Sequence, residues 1–213
     1  LYVKHPDKPE VLLRQGAYVA IAQGYEDGRS LMDKALDMNP NLQSDYARLL
    51  ERIAGYYEQA GEYEVTEDIY RHLIQTNPED GWIRVHYAEL LIKHKKCQAA
   101  EEVLIDLLEW APESPYASRK LDALLLEEGD EGKRLSTWKL LRDKHPDAYV
   151  PGLYYGKALE NANSFHSAIQ QYKNLQKNYP QHPEIVASGR VNRATEGLRN
   201  RPFSNGRRRI RRQ

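Results

Sequence analysis

The stretch that decides the fold is Ser44–Pro78, SDYARLLERIAGYYEQAGEYEVTEDIYRHLIQTNP. Its apolar residues recur three and four positions apart, first from Leu49 to Ala60 and again from Val65 to Ile74. This stripe is typical of amphipathic helices. Gly61 separates the two stripes, and Asn77-Pro78 ends the second because proline cannot continue a helix and restricts the residue before it. The stretch therefore predicts a pair of antiparallel helices joined by a short turn.

Similar stretches recur along the chain, and each one closes with a proline. The closing prolines are Pro40, Pro78, Pro112, Pro146 and Pro180, so their separations are 38, 34, 34 and 34 residues. The longer first separation places four extra residues around Asn41–Tyr46, about one additional helical turn at the start of the second copy. A repeat of this length predicts a stack of helix pairs in which each pair contacts its neighbours.

When each closing proline is counted as position 32, the copies resemble the tetratricopeptide repeat (TPR) family. Its 34-residue helix–turn–helix unit has small residues at positions 8 and 20 and a large apolar residue at position 24. In chain order these positions are Gly16, Ala54, Ala88, Asp122 and Gly156 (position 8), Gly28, Thr66, Ala100, Arg134 and Ala168 (position 20), and Met32, Tyr70, Leu104, Trp138 and Tyr172 (position 24). The resemblance covers nearly the whole chain except its C-terminal end.

The resemblance implies an all-α fold, a right-handed α-solenoid of five TPR helix pairs followed by a C-terminal cap helix. The predicted array spans 1–182, with units at about 9–42, 47–80, 81–114, 115–148 and 149–182. Residues 183–200 have the helical character and weak apolar stripe expected of a solvating cap helix. Residues 201–213, RPFSNGRRRIRRQ, predict an extended or disordered Arg-rich arm.

The fourth unit departs from the family at both small positions, where it has Asp122 and Arg134. Positions 8 and 20 meet where the two helices of a unit come closest. Because the two side chains have opposite charges, we predict a salt bridge between them at this crossing.

Composition limits the classes of protein that fit. The single cysteine, Cys97, excludes an internal disulfide framework and a cysteine zinc cluster. It fits the cytoplasm, which we slightly favour, and leaves the periplasm open. No stretch has the roughly 20 apolar residues of a membrane helix. The net charge is zero, yet nine arginines and one acid lie from Arg190 onward, so the rest of the chain is acidic.

No motif predicts an enzyme. The sequence has no P-loop, no GxGxxG after a strand, no HExxH and no GxSxG. His86 and His94 are eight residues apart on one predicted helix, which is too far for two ligands of one metal ion. We therefore predict no catalytic residues, no cofactor and no metal site.

The resemblance does imply a binding groove, because in this family the first helix of each unit lines the inner face. The family's groove positions correspond to Arg14, Arg48, Arg52, Trp82, His86, Glu89, Tyr116, Arg119, Lys120, Tyr154 and Lys157. This basic and aromatic set predicts a protein or peptide partner, of acidic character. Alternatively, these cations only solvate their helices through pairs with Glu51 or Glu89. The Lys/Asn/Arg carboxylate clamp of some members is not reproduced, since Glu51 and Gly55 stand where its first Lys and Asn would be.

The leading functional hypothesis is a protein–protein interaction scaffold. Because the chain begins at Leu1 instead of Met, we expect this scaffold to belong to a larger protein or assembly. A second hypothesis is a nucleic-acid-associated module that uses the Arg-rich arm, although the acidic remainder would repel a polyanion. A third is the recruiting domain of a polysaccharide-export protein or glycosyltransferase.

Overall fold

The computed structural model of the protein describes residues 8–180, and this part of the chain is all-α. It contains ten α-helices, a short 3-10 helix at Pro40–Leu42 and no β-strand. The α-helices are α1 (Pro9–Ala22), α2 (Tyr25–Met38), α3 (Gln43–Ala60), α4 (Tyr63–Thr76), α5 (Gly81–Lys93), α6 (Cys97–Trp110), α7 (Pro115–Glu128), α8 (Glu131–Lys144), α9 (Tyr149–Asn161) and α10 (Phe165–Asn178). The predicted helical-repeat fold is confirmed, whereas the cap helix and the arm lie outside the described residues.

The chain divides into two compact units, and the division falls inside α6, between Leu107 and Leu108. We call them the N-terminal unit, which holds α1 to α5 and most of α6, and the C-terminal unit, which holds the end of α6 and α7 to α10. The boundaries of the five repeats and the hand of the superhelix remain predictions.

Each of the five prolines closes a helix pair in the way the sequence indicates. Pro40 begins the 3-10 helix after α2, and each of the other four lies two residues beyond the end of α4, α6, α8 or α10. The four extra residues of the second copy also appear as extra helix. α3 has 18 residues where α1 has 14, and Gln43 Nε2 donates to the Thr76 carbonyl (3.0 Å) and to Asn77 Oδ1 (2.9 Å).

The turn inside four of the pairs depends on one residue with a positive φ. All four lie at repeat position 15: Gly61 (φ 80°), Lys95 (59°), Gly129 (73°) and Asn163 (56°). Glycine adopts this left-handed conformation without a Cβ clash, and asparagine tolerates it better than lysine does. Lys95 therefore introduces local strain that the two glycine turns avoid.

In the N-terminal unit, small residues allow the paired helices to approach closely. A Cβ atom on Gly28 would lie 2.2 Å from the Ala20 nitrogen, and one on Gly16 would lie 2.7 Å from the Gly28 carbonyl oxygen. Met32, at position 24, is fully buried beside them, in a core cluster that extends to Leu73 and Ile83. Close contact of this kind requires glycine, because any side chain would force the two backbones apart.

Candidate peptide-binding groove

A groove in the N-terminal unit lies between α1 and α3, the first helices of two successive pairs. It encloses about 680 Å³, within the range of pockets that hold small ligands or peptide side chains. Its lining comprises acidic, basic and apolar residues: Glu10, Leu13, Arg14, Ala17, Tyr18, Ile21, Leu42, Asp45, Arg48, Leu49, Arg52, Ile53 and Tyr56.

Three of the predicted groove residues, Arg14, Arg48 and Arg52, lie together in this groove with exposed side chains. Arg48 forms an ion pair with Asp45, one turn earlier on α3. Within residues 8–180, neither Arg14 nor Arg52 forms a hydrogen bond or an ion pair. Two guanidinium groups are therefore available to a ligand from outside this part of the chain.

Two tyrosines that sequence reasoning did not select form the aromatic part of the groove. Tyr18 is 75% exposed and Tyr56 is 46% exposed, and the aliphatic Ile21 is exposed beside them. Both tyrosines occupy repeat position 10. The corresponding residues of the later units, Leu90, Leu124 and Ala158, are buried. That contrast in side-chain type was visible in the sequence and could have identified the two tyrosines.

Hydrogen bonds fix the groove's walls. Tyr57 Oη donates to the Ala20 carbonyl at 2.5 Å, which ties α3 to α1. Asn39 Nδ2 donates to Glu10 Oε1 at 3.5 Å and links the end of α2 to the acidic end of the groove. A groove held in this way has little conformational freedom to lose when a ligand binds.

A partly buried polar cluster on the second-helix side connects helices of the same unit. The Tyr46 hydroxyl donates to Asp33 Oδ1 and lies 2.6 Å from His72 Nε2, so it joins α2, α3 and α4. Burial and the hydrogen bond to Asp33 raise the pKa of the Tyr46 hydroxyl, which therefore stays protonated. Burial also lowers the pKa of the His72 imidazole, although the Asp33 carboxylate acts in the opposite direction.

A second cluster surrounds Glu67, a buried carboxylate of α4. It accepts hydrogen bonds from Tyr87 Oη (3.2 Å) and Lys96 Nζ (2.8 Å), and it forms an ion pair with Arg71. Burial acts to raise the pKa of Glu67, but the hydrogen bond from Lys96 and the charge of Arg71 outweigh it and lower that pKa. The Glu67 carboxylate therefore binds partners within the N-terminal unit.

The remaining predicted groove residues of the N-terminal unit lie on α5 and do not line the α1–α3 groove. Trp82, His86 and Glu89 are exposed, and the Trp82 and His86 rings lie 6.1 Å apart between centroids.

In the C-terminal unit, the predicted groove cations pack on aromatic rings of their own helices. The Arg119 guanidinium lies 4.9 Å from the centre of the Tyr116 ring, and Arg119 Nε donates to the Pro115 carbonyl at 3.0 Å. On α9, Lys157 Nζ lies 4.7 Å from the centre of the Tyr154 ring. Lys120, also on α7, is half-buried. These cations already have partners, whereas Arg14 and Arg52 have none within residues 8–180.

The C-terminal unit also contains the predicted pair of the fourth repeat. Arg134 Nε donates to Asp122 Oδ1 at 2.7 Å and Arg134 Nη2 donates to Asp122 Oδ2 at 3.0 Å, with residue exposures of 4% and 8%. Trp138 supplies a third contact that the sequence did not indicate, because its Nε1 donates to Asp122 Oδ1 at 2.8 Å. Asp122 is therefore the common acceptor of a buried network.

No group of His, Cys, Asp and Glu residues within 8–180 is arranged to hold a metal ion. No helix in this part of the chain combines the length and apolar character needed to cross a membrane.

Comparison with known families assigns the middle of the chain, because its residues match the model of the tetratricopeptide repeat family from 57 to 124. Residues 57–124 are tetratricopeptide repeats. The resemblance found in the sequence is thus confirmed for this segment, which includes parts of α3 and α7 and all of α4, α5 and α6. Repeats of this family generally serve as scaffolds for protein–protein interaction and are typically not catalytic.

Several solved structures are similar to the chain at low sequence identity. One is YrrB, a TPR protein with an unusual peptide-binding site (16% identity, 84% of this chain and 91% of that chain, TM-score 0.43). Others are MamA of Desulfovibrio magneticus RS-1 (12%, 83% and 98%, 0.42) and PilF of Pseudomonas aeruginosa (15%, 90% and 89%, 0.42). No curated protein matches the sequence significantly.

Proposed function

We propose that the protein is a non-catalytic interaction scaffold that binds a peptide or protein segment in the groove between α1 and α3. The observation that carries this proposal is one open cavity of about 680 Å³ that brings together two exposed tyrosines and two arginines without an ion pair to any of residues 8–180. Arginine and tyrosine are favoured at interfaces because they supply forked donors and rigid rings.

The packing of α1 against α3 supports the same proposal. Leu13, Leu49 and Ile53 form an apolar floor below the charged and aromatic side chains. Peptide-binding sites commonly combine an apolar floor with a few polar groups that fix orientation. The groove is also held by Tyr57, so the protein contributes little ordering cost when a segment binds.

The test is a selection from a displayed random dodecapeptide library on the immobilised full chain. Backbone hydrogen–deuterium exchange is then measured with and without the selected peptides. We expect the peptides to compete with one another and to slow exchange in α1 and α3, but not in α2 and α4. Failure to select any binding peptide, or protection confined to the second helices, would contradict the proposal.

A further inference from the structure

The α1–α3 groove has an internal repeat. Arg14 and Tyr18 are separated by one helical turn on α1, and Arg52 and Tyr56 are separated by one turn on α3. Both arginines occupy repeat position 6 and both tyrosines occupy position 10. No other unit has this pair, since the later residues at these positions are His86 with Leu90, Lys120 with Leu124, and Tyr154 with Ala158.

The two copies create two chemically different levels along the groove. The arginine level has two guanidinium groups with no hydrogen bond or ion pair to any of residues 8–180. A carboxylate is the natural partner for such groups, because it accepts forked hydrogen bonds as well as neutralising charge. The tyrosine level has two exposed rings beside Ile21, and it suits an aromatic or aliphatic side chain.

The far end of the groove restricts the ligand further. Glu10 lies one turn before Arg14, whereas Asp45, in the first part of α3, is already paired with Arg48. A second acidic group on the ligand would be repelled by Glu10. Charge complementarity therefore favours a carboxylate in the middle of the groove, with a neutral or basic residue beyond it.

The spacing of the two levels defines a sequence pattern for the ligand. One turn of four residues advances about 6 Å along a helix axis. Two residues of an extended chain advance about 6.6 Å and place their side chains on the same face. A segment lying along the helices would thus present an acid at one position and an apolar side chain two residues away.

We infer that the groove recognises an extended segment with the pattern acid–x–aromatic or acid–x–aliphatic, an inference that rests on the proposed function. Arg14 and Arg52 bind the carboxylate, and Tyr18 and Tyr56 bind the apolar side chain. The C-terminal unit does not take part in this recognition, because Arg119 and Lys157 already pack on Tyr116 and Tyr154.

Matched heptapeptides test this inference by NMR titration of the isotope-labelled full chain. The probe is acetyl-Gly-Ser-Asp-Ser-Phe-Ser-Gly-amide. One control peptide has Lys in place of Asp, another has Ser in place of Phe, and a third has Asp and Phe adjacent. We expect amide shifts in α1 and α3 with the probe, and affinity at least about tenfold lower for the Lys and Ser peptides.

Two double variants separate the two levels. Arg14→Gln/Arg52→Gln should abolish the preference for Asp over Lys while keeping the preference for Phe over Ser. Tyr18→Ser/Tyr56→Ser should do the reverse. The matched control Lys34→Gln/Lys139→Gln removes two exposed cations from second helices and should bind the probe like the parent.

The outcomes distinguish this inference from the broader proposal. Equal binding of all four peptides, or shifts located in α2 and α4, would overturn the acid–x–apolar pattern. If the probe fails but library-selected peptides protect α1 and α3, the pattern is wrong and the scaffold function stands. If neither the probe nor any library peptide binds, both the pattern and the proposed function are wrong.

Discussion

The first and fourth helix pairs solve the same packing problem with opposite chemistry. In the first pair, Gly16 and Gly28 leave no room for a side chain, and the helices approach until their backbones touch. In the fourth pair, Asp122 and Arg134 fill the same repeat positions with a buried, bidentate ion pair that Trp138 completes. A repeat position therefore specifies a place in the fold but not the chemistry that occupies it.

The predicted groove residues of the two units differ in a parallel way. Arg14 and Arg52 have no partner within residues 8–180, whereas Arg119 and Lys157 pack on rings of their own helices. The N-terminal unit therefore keeps binding groups available, whereas the C-terminal unit uses similar groups for its own stability.

The largest expected effect on stability comes from breaking the buried Asp122–Arg134 ion pair of the fourth helix pair. Asp122→Ala should lower the free energy of unfolding by about 4 kcal/mol, because Arg134 would remain buried without its counter-charge and Trp138 would lose its acceptor. Denaturant unfolding monitored by tryptophan fluorescence measures this loss. The double variant Asp122→Leu/Arg134→Met should cost much less, since it leaves no unpaired charge. A loss below about 1 kcal/mol for the single variant would be typical of an exposed pair and would refute this account.

The crossing of α1 and α2 at Gly16 and Gly28 should be the next most sensitive to substitution. In Gly28→Ala, the new Cβ would lie 2.2 Å from the Ala20 nitrogen, so the helices must separate, at a cost of about 2 to 3 kcal/mol. Gly55→Ala is the matched control, because no atom lies within 4 Å of its added Cβ on α3. Alanine's higher helix propensity should stabilise that variant by up to about 1 kcal/mol. Equal midpoints for the two variants would rule out the close crossing.

These two crossings also indicate how far sequence reasoning reaches. Repetition fixed the register, so the helix pairs, the closing prolines and the proximity of Asp122 to Arg134 could be predicted. Trp138 was predicted only as a large residue at position 24, because a register does not say which way an indole N–H points. The exposure of Tyr18 and Tyr56 was missed because position 10 is not among the groove positions that the resemblance supplies. Only the change from tyrosine to Leu90, Leu124 and Ala158 in the later units marked it in the sequence.

A smaller effect should distinguish two individual turns, those at Lys95 and Gly129. Lys95→Gly should raise the free energy of unfolding by about 1 kcal/mol, because it relieves a left-handed backbone conformation that costs a side-chain-bearing residue about that much. The reciprocal change Gly129→Ala, at the same repeat position, should lower stability by a similar amount. Chemical denaturation of both variants measures the difference, and shifts of the same sign would contradict the assigned role of the positive φ.

The smallest expected effect on stability belongs to the groove arginines. Arg14→Gln/Arg52→Gln should change the free energy of unfolding by less than about 0.5 kcal/mol, because both side chains are exposed and form no ion pair with residues 8–180. The thermal unfolding midpoint measures this effect. A large drop would show that these arginines stabilise the fold, which would remove the reason to regard them as binding groups.

Intermolecular nuclear Overhauser effects between the bound Asp-Ser-Phe heptapeptide and the labelled protein test the central claim most directly. The claim is that α1 and α3 present the binding surface of this chain. We predict contacts from the peptide's phenylalanine ring to the ring protons of Tyr18 and Tyr56. Contacts from that ring to α2, α4, α7 or α9, with none to the two tyrosines, would contradict the account.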